Sequence, residues 1–153
     1  ENLYKAGFGG DMALALINKL LSLKNEEDFS ALDMCVVDLR QGGADFIKMG
    51  APEGLIVRGD NTEIVAGSDL PLGILEEIQP EIQRRVLVAG DMVVMVSDGI
   101  SDVVSADKLE NYIENNRTLN PQTLADNILM LATDGGKRAK DDSKVVVVRV
   151  FAA

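Results

Sequence analysis

Histidine is absent from all 153 residues of this chain. Its absence removes imidazole as a general base, the Ser-His and Cys-His nucleophile pairs, and most zinc sites. Cysteine occurs once, at Cys35, so no disulfide can close within the chain, which suits a reducing compartment. Cys35 sits in an apolar run whose flanking residues supply no cation, and it reads as a structural thiol. No apolar stretch approaches the roughly 18 residues needed to span a bilayer. The N-terminal residues lack the basic-then-apolar layout of a signal peptide. Cations are also scarce: Lys and Arg number 15 against 25 Asp and Glu, a net charge of −10. They are scattered along the chain, so a phosphate backbone would be repelled and nucleic acid is excluded as a partner.

Hydrophobic residues make up 46% of the chain, with only 4% aromatic. Val, Leu, Ile and Ala dominate, as in a compact core, and the length suits one domain. Met12, Leu16, Leu20 and Leu23, with Ile17 beside them, predict an amphipathic helix over Asp11 to Leu23, with Asp11 at its N-cap. Strand patterns follow at Ala31 to Leu39 and Ala44 to Met49, around a Gly-rich turn. Gly54 to Arg58 and Thr62 to Ala66 flank Gly59-Asp60-Asn61 as a second hairpin. Ile82 to Val88 and Met92 to Val96 flank Ala89-Gly90-Asp91 as a third. Helices are predicted from Ala106 to Asn116, capped by Ser105, and from Gln122 to Thr133, behind Asn120 and Pro121. A last strand spans Val145 to Val150. Strands and helices are segregated, which argues for α+β with mainly antiparallel pairing.

Two acidic motifs, each fixed to an apolar strand, carry the chemistry. The first is Asp91 to Val96 followed by Ser97-Asp98-Gly99-Ile100-Ser101-Asp102; the second is Asp141-Asp142-Ser143-Lys144 ahead of the Val run. One strand ends at a carboxylate and the other begins just after one. If the two are antiparallel neighbours, Asp98 and Asp141 meet at one sheet edge. Convergent carboxylates there suit a hard cation such as Mg2+ or Mn2+, which prefers oxygen ligands and keeps several waters. Such an ion activates water and neutralises a phosphate without any histidine. Gly99 would permit a sharp turn after Asp98. Asp102, four residues on, shares the face of Asp98 if a helical turn forms. Plain structural readings stand beside these: Asp-Gly as an ordinary turn, Asp141-Asp142 as a solvated loop end, and Asp102 as a surface or capping acid.

Val96 to Asp102 resembles the Asp-Gly segment of the metal-dependent PPM (PP2C-type) serine/threonine phosphatases, and Asp141 to Arg149 resembles their closing acidic strand. More narrowly, the chain is similar to the C-terminal phosphatase domain of the bacterial stage II sporulation protein E family. Ile17 to Leu23, Ser30 to Met34, Leu70 to Ile74 and Ala89 to Asp91 match as well, in order, so the resemblance covers nearly the whole chain. It implies an antiparallel β-sandwich flanked by helices (α-β-β-α) and a two-metal site, usually Mn2+ or Mg2+, that hydrolyses phosphoserine or phosphothreonine. By position, Asp98 and Asp141 would be metal ligands, with Gly99, Asp102 and Asp142 as their neighbours. The implied partner is a phosphorylated anti-sigma factor antagonist, whose dephosphorylation releases a sporulation sigma factor. The implied setting is the cytoplasmic face of a membrane, with the parent protein anchored through a region absent here.

Two departures qualify the resemblance. The family carries an earlier Asp-Gly pair whose Asp bridges the metals; none occurs here, and Glu1 to Phe8 resembles the end of the helix that follows it. The expectation is a partial phosphatase domain over residues 1–153, lacking the N-terminal part, with weak or no activity alone. Lys144 also replaces a small hydroxyl residue of the closing motif. The rival reading is a non-catalytic PPM-like interaction module. A phosphoaspartate receiver is disfavoured, because receivers alternate strands and helices. The Leu face of the first helix is expected to pack on a sheet, with a homodimer through an uncovered apolar face as the alternative.

Overall fold

The computed structural model describes residues 6–23, 29–133 and 142–152. The chain forms two compact units. One comprises Glu1–Val36, Asp45–Ala51 and Gly67–Arg84; the other comprises Val37–Ala44, Pro52–Ala66 and Arg85–Ala153.

The first unit contains helix α1 (Gly10–Ser22) and most of a three-stranded sheet with order β1-β2-β5, where β1 is Leu32–Val37, β2 Gly43–Met49 and β5 Gln83–Val86. Helix α1 starts one residue before the predicted Asp11; Gly9 holds the extended N-cap position and Asp11 lies in the first turn, where a carboxylate favours the positive end of the helix. Its buried side is not the predicted one. Leu14, Ile17 and Leu21 pack with Ile47, Met49 and Leu72, while the Met12, Leu16, Leu20 and Leu23 row is solvent-exposed, from 41% at Leu16 to 72% at Leu23. Both rows have helical spacing, so periodicity alone cannot choose between them. Asn18 makes the choice. It is buried on the packed side, and its Nδ2 donates to the carbonyls of Leu75 (2.8 Å) and Glu76 (3.3 Å) while its Oδ1 accepts from the Gly73 amide (2.8 Å). The loop's backbone groups are thereby satisfied without water.

Strand β2 also buries Lys48, whose amine meets Asp33 of β1 at 2.5 Å. Burial raises the Asp33 carboxyl, against the opposing pull of Lys48. Burial, with the charges of Asp33 and Asp45, pushes the half-buried Cys35 thiol up to about 11. It therefore stays protonated and unreactive at neutral pH, consistent with a structural thiol.

The second unit contains a four-stranded sheet of order β4-β3-β6-β7, with β3 Gly54–Arg58, β4 Asn61–Val65, β6 Met92–Val96 and β7 Val145–Arg149, every pairing antiparallel. Helices α2 (Asp98–Ser101), α3 (Ala106–Asn116) and α4 (Pro121–Thr133) complete it. Leu55, Val57, Met92, Val94 and Val96 from the sheet form one core with Ile100, Ile113, Leu124 and Ile128 from the helices. Each fully buried aliphatic side chain of this kind contributes about 1.5–3 kcal/mol. Asn120 caps α4 by accepting from the Gln122 amide at 2.9 Å, and Pro121 fits the first turn because no donor is needed there.

The turn between β1 and β2 also falls in this unit. Asp38 donates its amide to Gly43 and accepts from Gly42. Gly42 has φ 72°, and a Cβ there would lie 2.5 Å from the Leu87 carbonyl oxygen, so the position requires glycine.

The predicted hairpin of Ile82 to Val88 with Met92 to Val96 does not form. The turn is present, with the Asp91 amide donating to the Val88 carbonyl at 3.0 Å. The strands on either side of it join different sheets: β5 pairs beside β2, and β6 lies between β3 and β7. Composition explains the split. Strand β5 reads Gln-Arg-Arg-Val and alternates in exposure, which suits an edge. Strand β6 reads Met-Val-Val-Met-Val and is mostly buried, which calls for a central position. The turn is clamped by Asp91, 1% exposed, whose carboxylate accepts from Arg58 Nε (2.9 Å), an Arg58 terminal nitrogen (2.6 Å) and the Val88 amide (2.8 Å).

Replacing Asn18 with Ala leaves buried loop carbonyls unpaired and lowers stability by about 1–3 kcal/mol; urea unfolding measures it, and a midpoint equal to wild type would show that the clamp is dispensable. Burial pushes the Asp91 carboxyl up, but the Arg58 hydrogen bonds, the Val88 amide and the Arg58 charge together hold it below the ordinary carboxylate value. Its contribution is therefore present above the unfolded pKa and lost as pH falls through the lower folded one. Acid unfolding followed by circular dichroism becomes less steep in Asp91→Asn; identical acid limbs would contradict this role.

Candidate metal centre

The register of β6 with β7 runs from Met92↔Arg149 through Val94↔Val147 to Val96↔Val145. The end of β6 and the start of β7 consequently share one end of the sheet. Past Val96 the chain passes Ser97 and turns into α2 at Asp98. Past Val145, going backwards, it passes Lys144, Ser143 and Asp142. Asp141 lies outside the described residues.

Four hydrogen bonds join the two motifs. The Ser97 amide donates to the Lys144 carbonyl at 3.0 Å, and the Lys144 amide donates to Ser97 Oγ at 2.9 Å. Ser97 Oγ donates to the Asp142 carbonyl at 3.0 Å, and Ser143 Oγ donates to the Gly99 carbonyl at 3.2 Å. Ser97 occupies the N-cap position of α2 without making a side-chain cap; its hydroxyl serves the start of β7 instead. Lys144 takes part through its backbone, so the motif tolerates its long side chain, which is exposed and 3.9 Å from the equally exposed Asp142 carboxylate. A pair of that kind is worth about 1 kcal/mol at most.

Asp98 is exposed, and its Oδ1 accepts from the Gly99 amide at 2.9 Å. Gly99 is buried in an ordinary helical turn and is not among the glycines with positive φ, so the chain turns after Asp98 in a regular helical conformation. The helical turn needed to align Asp102 with Asp98 does form, with the Asp102 amide donating to the Asp98 carbonyl at 2.9 Å. Residues four apart on a helix have Cβ atoms about 5–6 Å from each other. Asp98, Asp102 and Asp142 are thus exposed acids at one end of the second unit. Among the described residues, no cation lies within ion-pair distance of Asp98 or Asp102, and no three acidic, Cys or His side chains come close enough to cage a metal. The donor set still fits a hard divalent ion in kind. It is all oxygen, it is solvent-facing, and Mg2+ needs only one or two carboxylates because it retains water.

Ser97 and Ser143 were not singled out by the sequence. Their position beside the acids is visible there, but a hydroxyl's choice between capping a helix and bridging two strands is made in three dimensions.

The fold is shared with solved PP2C-type phosphatases. The PP2C phosphatase domain with a fragment of the regulatory domain of the cell fate determinant SpoIIE from Bacillus subtilis matches with a TM-score of 0.82 and 31% identity, over 97% of this chain and 46% of that one. The catalytic domain of the serine/threonine protein phosphatase PstP, solved in complex with two manganese ions, matches with a TM-score of 0.76 at 19% identity, over 95% of this chain and 74% of that one, and shares the fold. The family model of stage II sporulation protein E matches residues 1–151, and the chain belongs to that family. Stage II sporulation protein E of Bacillus subtilis (strain 168) is 34% identical and that of Priestia megaterium 32% identical, each over 98% of this chain. The chain spans 19% and 27% of those relatives' lengths.

Ser97→Ala removes the hydroxyl that both accepts from Lys144 and donates to Asp142. Stability falls by about 1–2 kcal/mol, and hydrogen exchange at the Lys144 amide accelerates. Unchanged exchange at Lys144 would show that the hydroxyl does not hold the two motifs together.

Proposed function

We propose that this chain is phosphatase-domain sequence in which Asp98 and Asp141 hold divalent cations, Mn2+ or Mg2+, and that the whole protein hydrolyses phosphoserine or phosphothreonine on a protein substrate. The observation that carries the reading is the hydrogen-bonded junction of the Asp98-Gly99 corner with the acidic start of β7, in a chain of the stage II sporulation protein E family. The manganese-soaked SpoIIE phosphatase domain, 30% identical over 99% of this chain, supports the choice of metal.

Bound divalent ions would activate a water and offset phosphate charge, chemistry that needs no histidine. The chain's own part is to present carboxylate oxygens at a rigid sheet end. Asp98 is anchored by the first turn of α2, and the start of β7 is anchored by Ser97 and Ser143. Asp102 and Asp142 add negative charge around the ligands, which strengthens cation attraction. The open, exposed face at Asp98 suits a phosphorylated side chain on a protein rather than a small molecule enclosed in a cleft. In this reading the substrate is a phosphorylated anti-sigma factor antagonist, and its dephosphorylation serves sigma factor activation in sporulation, as the family resemblance supports.

Calorimetric Mn2+ titration of the chain tests the site. Asp98→Asn and Asp141→Asn each weaken binding by about tenfold or more, the equivalent of about 1.4 kcal/mol, whereas Asp142→Asn has a smaller effect. Equal affinity in wild type and Asp98→Asn would overturn the assignment. Asp98-dependent binding without hydrolysis of a phosphoserine peptide by the whole protein would leave a metal-binding interaction module and discard catalysis.

A further inference from the structure

A second polar site lies at the other end of the same β6–β7 ladder. Met92 and Arg149 pair at that end, and Val96 and Val145 pair beside Asp98. Four residue steps at about 3.3 Å each separate the two ends by about 13 Å. Here the turn residues Gly59 and Asp60, Gly90 ahead of β6, Arg117 at the end of α3, and Arg149 line a cavity of ≈ 490 Å³, within the range of small-molecule sites.

The charge balance of this cavity is incomplete. Arg149 donates one terminal nitrogen to the Arg117 carbonyl and to the Met92 sulfur, both uncharged acceptors. Its Nε is buried and has no hydrogen-bond partner. Among the described residues, no carboxylate lies within ion-pair distance of its guanidinium. Arg117 donates to the Gly59 carbonyl at 2.8 Å and pairs with Asp60. Asp60 is 86% exposed, so that pair is weak and readily exchanged. Two guanidinium groups thus face one solvated carboxylate, in a chain whose net charge is −10.

Helix capping accounts for part of this. A cation beside the last carbonyls of α3 meets the negative end of the helix, equivalent to about half an elementary charge. Capping occupies one of the five N–H donors of Arg149. It leaves the orphaned Nε donor unexplained, and a buried donor without a partner costs free energy. Arginine also offers the planar fork that matches oxyanions, which Lys does not.

We propose that this cavity binds a small oxyanion, a phosphate or carboxylate group, between the guanidinium groups of Arg149 and Arg117. The ligand's oxygens would accept from both, Arg117 exchanging its contact with Asp60 for the anion. The site is independent of the metal-binding end and acts without a cation.

The test is an amide NMR titration of the metal-free 153-residue chain in chelator, at constant ionic strength. One arm uses inorganic phosphate, a second acetate, and a third chloride. Saturable shifts at the Gly59, Gly90 and Thr118 amides, with none at Gly99, are expected for phosphate, acetate or both; the arm that responds identifies the source. Arg149→Lys and Arg117→Gln each weaken the interaction by about tenfold, as loss of a charge-assisted hydrogen bond would. Absence of saturable shifts in wild type overturns the proposal. Equal responses to chloride, or dissociation constants unchanged in Arg117→Gln, overturn it as well. Should Arg149→Lys fail to fold, the wild-type arms and Arg117→Gln decide the matter.

Discussion

Antiparallel pairing of β6 with β7 is the constraint on which the second unit depends. Its register, Met92 opposite Arg149 and Val96 opposite Val145, sets which side chains enter the core and which motifs become neighbours. Shifting a strand by one residue would turn Val145 and Val147 away from the helices and present Val146 and Val148 in their place. The same shift would separate Ser97 from Lys144 and break the junction that holds the acidic motifs together. At the opposite end it would withdraw Arg149 from the end of α3. One ladder therefore organises an acidic end and a basic end of the same sheet.

Apolar burial supplies most of the stabilisation but little of the choice between arrangements, because it is non-directional. Buried polar groups make that choice here. Asn18 selects which side of α1 is packed. Asp91 and Arg58 clamp the turn from which the chain moves between sheets. Lys48 is admitted to β2 because Asp33 meets it. In each case the alternative would strand a donor, an acceptor or a charge away from water, a penalty large enough to outweigh small differences in apolar area.

The acidic end is the part of the chain on which the proposed metal chemistry rests. In the proposed reading, an oxygen-ligated divalent ion would activate water without imidazole. The chain shares its family with stage II sporulation protein E and its fold with PP2C-type phosphatases, one of them solved with two manganese ions. The exposed Met12, Leu16, Leu20 and Leu23 row belongs to a different part of the chain's physics. It shows that a helix can carry two apolar faces, of which internal packing uses one.

Local chemistry was legible from the sequence. Val runs marked strands, Gly59 and Gly42 marked turns, Asn120 and Pro121 announced α4, and the four-residue spacing of Asp98 and Asp102 left room for the helical turn that forms there. These features depend on residues within one turn or one hairpin of each other, so spacing suffices to reveal them. Tertiary structure decided the rest. It sent β5 and β6 to different sheets although a good turn joins them, because an Arg-rich strand suits an edge and an all-apolar one needs neighbours on both sides. It chose the packed face of α1 through a polar side chain that hydropathy would place outside, and it set the Ser97 hydroxyl to join the start of β7. Those outcomes rest on hydrogen bonds between residues some 45 to 60 positions apart, whose partners exist only once the chain has folded.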